Sequence, residues 1–340
     1  MQRVQSTSVV AYTPENRCGG MPAFDYLLSE ASIGQSIRFL GDIPADMSTL
    51  WGYEIRLADY TLQADFQICI SKATFGAFQE YLWNVPYAHR MWGNLRTLVD
   101  QWRGRRTDLY YLLKNIWLEM DATQMASTDP VPNFFFGPVD GLNTDAFTKV
   151  VPFIFSYFGE TLEKPSIDSL AFIHAALPAG SWIPQIGRMT ARPGKQPVRL
   201  FVHRISELEI VPFLQRIGYR LTYPMLVTLL RDMHEVFDFV DINVETCLGS
   251  GPHRVGLEGY IQRWDAIRLQ KVLDFLQKRK LIEWVYTDRL RQFLAAATHR
   301  TSAYQEYIHH IKITFASDGP LEAKLYIGVK NISIWSKVEK

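Results

Sequence analysis

The sequence predicts an α+β fold: a closed ten-stranded antiparallel β-barrel surrounded by helices and built from five ββαα units. Three observations carry this reading. Pairs of strand-like runs, each followed by helix-like stretches, recur about every 55–70 residues. Most strand runs alternate apolar and polar residues, so each has one apolar and one polar face. An open sheet of ten antiparallel strands would leave two long edges, which closure abolishes. The competing arrangement is an open sheet, covered by helices on one face and wet on the other.

In chain order, residues 1–50 are turn-rich and read as a leading arm with one short helix at 23–31. Residues 51–332 read as a single domain. The strand pairs are Gly52–Asp59 with Ala64–Ser71, Asn115–Asp121 with Asn133–Val139, and Gln185–Ala191 with Val198–Ile205. Phe239–Glu245 with Arg254–Gln262, and His309–Ala316 with Leu321–Val329, complete the set. Turn residues separate several pairs, among them Pro193–Gly194 and Ser317–Asp318–Gly319–Pro320. Helices are expected at 73–83, 88–103, 143–158, 166–176, 206–217, 222–237, 265–279 and 287–297. Ser206 and Glu209 have capping-box spacing ahead of an apolar run.

Composition excludes several classes. With 36 basic and 35 acidic residues the net charge is +1, so no global field draws the chain to nucleic acid or an anionic membrane. No apolar run approaches the roughly 18–20 residues that span a bilayer, and the N-terminus does not read as a signal peptide. The 3 cysteines are widely separated, which suits a reducing, cytoplasmic setting and no zinc site. Phe, Tyr and Trp make up 13% of the chain, enough for a large core and an aromatic-lined chamber.

Alternation sorts the strand residues by face. Ile311, Ile313 and Phe315 oppose His310, Lys312 and Thr314. Ala323, Leu325 and Ile327 oppose Glu322, Lys324 and Tyr326. Val198, Leu200 and Val202 oppose Arg199, Phe201 and His203. Ile116, Leu118 and Met120 oppose Trp117, Glu119 and Asp121, and Ile55 opposes Glu54 and Arg56. The polar faces mix cations, carboxylates and aromatic rings, as a binding chamber would. Asp241-x-Asn243-x-Glu245 puts three metal-capable groups on one face, although such spacing arises often by chance. Two of the three rings of Phe134–Phe136 are expected in the core, and His309 and His310 read as ordinary hydrogen-bonded histidines.

The five ββαα units, with Ala323-Lys324-Leu325-Tyr326 and His310-Ile311-Lys312-Ile313-Thr314 in the final hairpin, resemble the ABBA aromatic prenyltransferases over about residues 50–330. The resemblance implies a prenyl diphosphate donor and an aromatic or peptide acceptor, no obligatory cofactor, and Mg²⁺ as an optional aid. It implies that Arg56, Arg199, Lys312, Lys324 and Tyr326 hold the diphosphate, with Arg254 a further candidate. Trp117, Phe201 and Tyr260 would shield an allylic cation or stack on the acceptor. Glu54 would accept the proton, with Glu119 second and Glu258 a competitor. The chain departs from the family pattern at Arg199-Leu200-Phe201-Val202-His203 and at Asn133–Phe136, where lysines and tyrosines are missing. Two alternatives stay open: another tailoring enzyme for a natural product, or a non-enzymatic binder of a small molecule or peptide. No P-loop, G-x-G-x-x-G, G-x-S-x-G, H-E-x-x-H or D-D-x-x-D occurs.

Overall fold

The structure is a computed structural model that describes residues 26–29, 47–104, 107–192, 194, 197–219, 223–247, 251–297, 304–316 and 320–332. The chain order is β1 (Leu50–Arg56), β2 (Ala64–Ser71), α1 (Phe75–Asn84), α2 (Arg90–Arg103), α3 (Asp108–Leu112), β3 (Leu113–Met120), α4 (Ala122–Met125) and β4 (Asn133–Pro138). There follow α5 (Thr144–Tyr157), α6 (Lys164–Ala175), β5 (Trp182–Arg188), β6 (Val198–His203), α7 (Glu207–Arg216) and α8 (Tyr223–His234). The chain continues with β7 (Phe239–Cys247), β8 (Gly251–Tyr260), α9 (Ala266–Lys278), α10 (Trp284–Ala297), β9 (Tyr304–Ala316) and β10 (Glu322–Asn331). The ten strands form one closed antiparallel barrel in which every strand pairs with its sequence neighbours and β1 pairs with β10. The closure is long: seven residue pairs run from Leu50↔Lys330 to Arg56↔Lys324. No strand edge is left over, so the open-sheet alternative is excluded.

The alternation does what it predicts. Ile55, Ile116, Leu200, Ile242, Leu257, Ile313 and Leu325 are fully buried on the outer face of the barrel, against the helices. Burying one such side chain is worth roughly 1.5–3 kcal/mol. The helices offer matching stripes, such as Leu95, Leu98, Val99 and Trp102 on α2 and Leu269, Val272, Leu273 and Leu276 on α9. Phe134 and Phe136 join this outer core, Phe134 stacked on Phe158 and Phe136 edge-on to Phe155, while Phe135 points into the lumen.

Three details differ from expectation. Two short helices, α3 and α4, interrupt the second unit. Strand β9 starts at Tyr304, five residues earlier than its alternation shows, because a bulge opposite Tyr326/Ile327 breaks the pattern. Ser206 is the N-cap of α7, but its hydroxyl makes no capping hydrogen bond, and Glu209 pairs with Arg216 instead. The expected helix at 23–31 lies mostly outside the described residues. Within it, Leu27 and Leu28 are buried in the main core, as is Met47 just before β1. Among the described residues no helix is long and apolar enough to cross a membrane.

Candidate active site

The polar strand faces line the barrel's interior. Call its mouth the end where β1 begins and β10 finishes, and its floor the end where β1 stops at Arg56. Toward the mouth lies a chamber of about 270 Å³. Of the residues singled out from sequence, Trp117, Glu119, Arg199, Phe201, Glu258, Tyr260, Lys312 and Tyr326 all line it. Arg56 and Lys324 instead line a second, polar cavity at the floor, together with Arg192 and Arg254. Glu54 sits between the two, accepting hydrogen bonds from Lys324 (2.5 Å) and from the Tyr326 hydroxyl. Thus the five expected diphosphate ligands share the lumen face but divide between two levels: Arg199, Lys312 and Tyr326 above, Arg56 and Lys324 below.

Strand register explains these neighbours. Glu54 stands opposite Tyr326 across β1 and β10, and Lys324 opposite Lys312 across β10 and β9. Lys312 also stands opposite Glu258 across β9 and β8. Directly opposed side chains on one face lie about 5 Å apart at Cβ, so cations and carboxylates meet in pairs. Lys312 reaches Glu258 at 3.2 Å, Arg199 reaches Glu245 at 2.5 Å and Arg56 reaches Asp65 at 2.7 Å. Arg192 holds Asp121 with two hydrogen bonds of 3.0 and 3.2 Å, and Arg254 holds Glu322. Each of these cations, and Lys324, therefore has a carboxylate partner.

Among the described lumen carboxylates, Glu119 stands apart. Glu119 is 7% exposed, and its Oε1 has no hydrogen-bond partner. Burial, then the nearby charges of Glu54 and Asp65, push it up to about 7. Glu54 behaves oppositely. Burial alone would raise it, but the charge and hydrogen bond of Lys324, the Tyr326 hydroxyl and Arg56 hold it well below the usual carboxylate range. The two carboxylates thus sit in opposite environments: Glu54 is bound and held acidic, while Glu119, with an unpartnered Oε1, is held basic. Oxygens of Glu54, Asp65 and Glu119 approach within 4.8 Å of one another. Two of the three already serve Lys324, Arg56 and the Ala122 N–H. The acidic run on β7 does not converge: Glu245 is engaged by Arg199, while Asp241 accepts from the Arg204 N–H and lies 3.7 Å from His203.

The chamber's walls are aromatic. Phe135 meets Phe201 edge-on at 6.0 Å, and the Lys312 ammonium lies 5.0 Å from the Phe201 ring centre. Several lining groups were not legible in the sequence. The bulge in β9 turns His309 inward beside His310, which alternation already places on the Lys312 face. His310 stacks on Tyr326 at 4.1 Å and its Nδ1 lies 2.6 Å from that of His309. Burial and the neighbouring His310 hold His309 down to about 3, so it is neutral. A tandem histidine inside an alternating strand was the available signal.

Two glycines make the crowding possible. A Cβ on Gly187 would lie 2.2 Å from the Phe135 ring, and one on Gly256 would lie 2.4 Å from Lys312 Cε. Lys312 is flexible, so Gly256→Ala is expected to fold but to push the ammonium off its seat. Affinity for an anionic ligand in the chamber should fall about tenfold, the order expected for losing one charged hydrogen bond, and the melting temperature should fall too, because buried Glu258 loses its lysine. Calorimetric titration alongside a thermal melt checks this.

A closed ten-stranded antiparallel barrel of five ββαα units, with a polar and aromatic lumen, is the fold of the aromatic prenyltransferases. No family model matches the chain, and no curated protein matches it in sequence. Solved structures match it in fold. The 5-dimethylallyltryptophan synthase from Streptomyces coelicolor is 13% identical with a TM-score of 0.55, over 92% of this chain and 94% of that one. Prenyltransferase PriB gives 12% and 0.56 over 92% and 94%. AnaPT from Neosartorya fischeri gives 12% and 0.56 over 90% of each chain. The fold is shared almost end to end, while the side chains are largely this protein's own.

Proposed function

We propose that this protein transfers a prenyl group from an allylic diphosphate to an aromatic acceptor inside the chamber. The observation that carries this is one cavity holding cations with a hydroxyl donor (Arg199, Lys312, Tyr326), an aromatic belt (Trp117, Phe135, Phe201, Tyr260) and an unpaired carboxylate (Glu119). Two structures with the same fold support it: the Streptomyces coelicolor synthase in complex with DMASPP and Trp, and PriB with L-tryptophan and a dimethylallyl thiolodiphosphate.

In this reading Arg199, Lys312 and Tyr326 hold the diphosphate. The allylic C–O bond breaks and its electron pair leaves on pyrophosphate. Aromatic faces stabilise the allylic cation and exclude water. A ring atom of the acceptor attacks, forming the new bond, and Glu119 takes the displaced proton. Glu54, Lys324 and Arg56 position the lower wall rather than react. Because each lumen cation already faces a carboxylate, a diphosphate enters a nearly neutralised cavity. Mg²⁺ arriving with the donor would offset that charge. Glu119 and its two engaged neighbours do not make a closed cage for a resident ion. The working domain in this reading is residues 51–332, with Leu50 as the first residue of its first strand. The buried free thiol of Cys69 suits the cytoplasm.

The neutralised cations favour one second reading, a binding protein for an uncharged aromatic ligand. A thermal-shift panel of allylic diphosphates, with and without Mg²⁺, separates the two. A donor at about 100 times its Kd should add roughly 2.7 kcal/mol of stability, and pyrophosphate should be released when an indole or phenol is added. Stabilisation by indoles alone, with none by any diphosphate, would sink the transfer reading.

A further inference from the structure

Asp241 is paired unlike its neighbours on the inner wall. Arg199 holds Glu245 and Lys312 holds Glu258, but among the described residues the ion-pair partner of Asp241 is an imidazole: His203 Nδ1 lies 3.7 Å from its Oδ2. The Asp241 side chain is sealed in the wall at 5% exposure, whereas the His203 side chain is 33% exposed and lines the chamber. Asp241 Oδ1 accepts the Arg204 N–H at 3.0 Å. Arg204 has a φ of 55°, a left-handed conformation unfavourable for a non-glycine residue. Its guanidinium lies 4.8 Å from the Trp182 ring centre. Two contacts thus hold a strained turn directly after His203. Strand direction separates this pair from Glu119. Strand β6 runs toward the mouth and ends at His203, while β3 runs toward the floor and ends one residue after Glu119. One chamber therefore has a carboxylate near its floor end and a carboxylate-backed imidazole at its mouth end.

Building on the prenyl-transfer reading, we propose that His203 is a second general base, positioned by Asp241, that takes the proton of a hydroxyl group on the acceptor, while Glu119 serves attack by a ring carbon. Nδ1 turned to Asp241 leaves Nε2 as the accepting nitrogen. The 3.7 Å separation is of the kind that tightens once substrate is bound. In the step, the hydroxyl proton passes to Nε2 and the hydroxyl oxygen bonds to C1 of the allylic group. The C–O bond to the diphosphate breaks, and its electron pair leaves on pyrophosphate. Asp241 stabilises the imidazolium that forms. The other titratable and charged groups facing the pair are Arg204, Glu258 and Tyr260 on β8, and His309 and His310 on β9. Glu258 is already engaged by Lys312 and the Tyr260 hydroxyl, so Asp241 is the acid left to serve His203.

The test uses the full chain, dimethylallyl diphosphate and a set of hydroxyindoles, each of which offers ring carbons and a hydroxyl in one molecule. Ether and ring-prenylated products are quantified separately across pH, and donor affinity is measured by calorimetry with the thiolodiphosphate. His203→Gln should lower the ether rate by about 10²-fold or more, the usual contribution of a general base, and leave ring product and donor affinity within about twofold. Glu119→Gln should do the reverse. Asp241→Asn keeps an oxygen for the Arg204 N–H. It should lower the ether rate about tenfold and move the acid limb of its pH profile to lower pH, because the imidazolium loses its carboxylate. A merely structural role would lower both products together and leave that limb in place, so Asp241→Asn decides the case if His203→Gln folds poorly. Equal loss of both products, or a tenfold loss of donor affinity in His203→Gln, would make His203 a donor ligand and overturn the proposal. Ring products alone from every hydroxyindole with the wild type would overturn it too, while upholding prenyl transfer. No prenylated product of either kind would overturn the transfer reading and this proposal with it.

Discussion

Glu119→Gln is expected to lower kcat by about 10²–10⁴, the usual contribution of a general base, while leaving the Kd for the donor nearly unchanged. The amide keeps the shape of the side chain and removes only its capacity to take a proton. The same substitution should raise thermal stability above neutral pH. The sign follows from linkage: a carboxylate raised from 4.5 to about 7 on folding is protonated in both states at low pH and costs nothing there. As pH climbs from the unfolded value through about 7, the unfolded chain ionises first and the native state loses ground. Gln has no such loss. A variant that is slower yet more stable at pH 8 marks a group kept for chemistry rather than for folding. In the wild type, kcat should fall on the acid side of about pH 7 as Glu119 becomes protonated. Steady-state kinetics across pH, with melts on both proteins, check all of this. Full activity in Glu119→Gln would return the role to Glu54 or Glu258.

Lys324→Met is expected to be the most destabilising single change in the lumen. Glu54 is 2% exposed, and its charge rests on the 2.5 Å contact with Lys324 and on the Tyr326 hydroxyl. Removing one member of a buried pair strands the other and costs about 3–5 kcal/mol. Adding Glu54→Gln should recover part of that loss, because the stranded charge goes with it. The pH dependence is opposite in sign to that of Glu119. Glu54 is lowered on folding, so its contribution is complete above its unfolded value of 4.5 and is lost as pH falls through the lower folded value. Acid unfolding should therefore be shallower in the double variant. Urea titrations at pH 7 and pH 3.5 measure both effects. A loss under about 1 kcal/mol in Lys324→Met would mean that water replaces the lysine and that this layer is not sealed.

The barrel was readable because side-chain alternation has a period of two and most strands obey it. Val198–His203 and Leu321–Val329 could each be assigned an inner and an outer face, and Arg199, Phe201, Lys324 and Tyr326 do face inward. What failed to show was longitudinal. Alternation says which face a residue takes but not how far along the barrel it sits relative to residues on other strands. Hence Arg56 and Lys324 appear with Lys312 on one list of polar positions, yet they occupy the floor. Hairpin register, set here by the β1–β10 closure, decides that. Charge partners were hidden for the same reason: Glu54 looked like a free base because Lys324, 270 residues away, could not be placed beside it. His309 was not placed inward because a bulge, not alternation, turns it in beside His310, which alternation does put on the Lys312 face.

The most direct test of the central claim is a crystal structure of the protein with dimethylallyl thiolodiphosphate, a donor analogue whose C–S bond resists cleavage. The diphosphate should lie on Arg199, Lys312 and Tyr326, with the prenyl group against Trp117, Phe201 and Tyr260 and its C1 facing the side of the chamber that carries Glu119. An empty chamber at saturating analogue, or the diphosphate lodged at the floor among Arg56, Arg192 and Arg254, would contradict it.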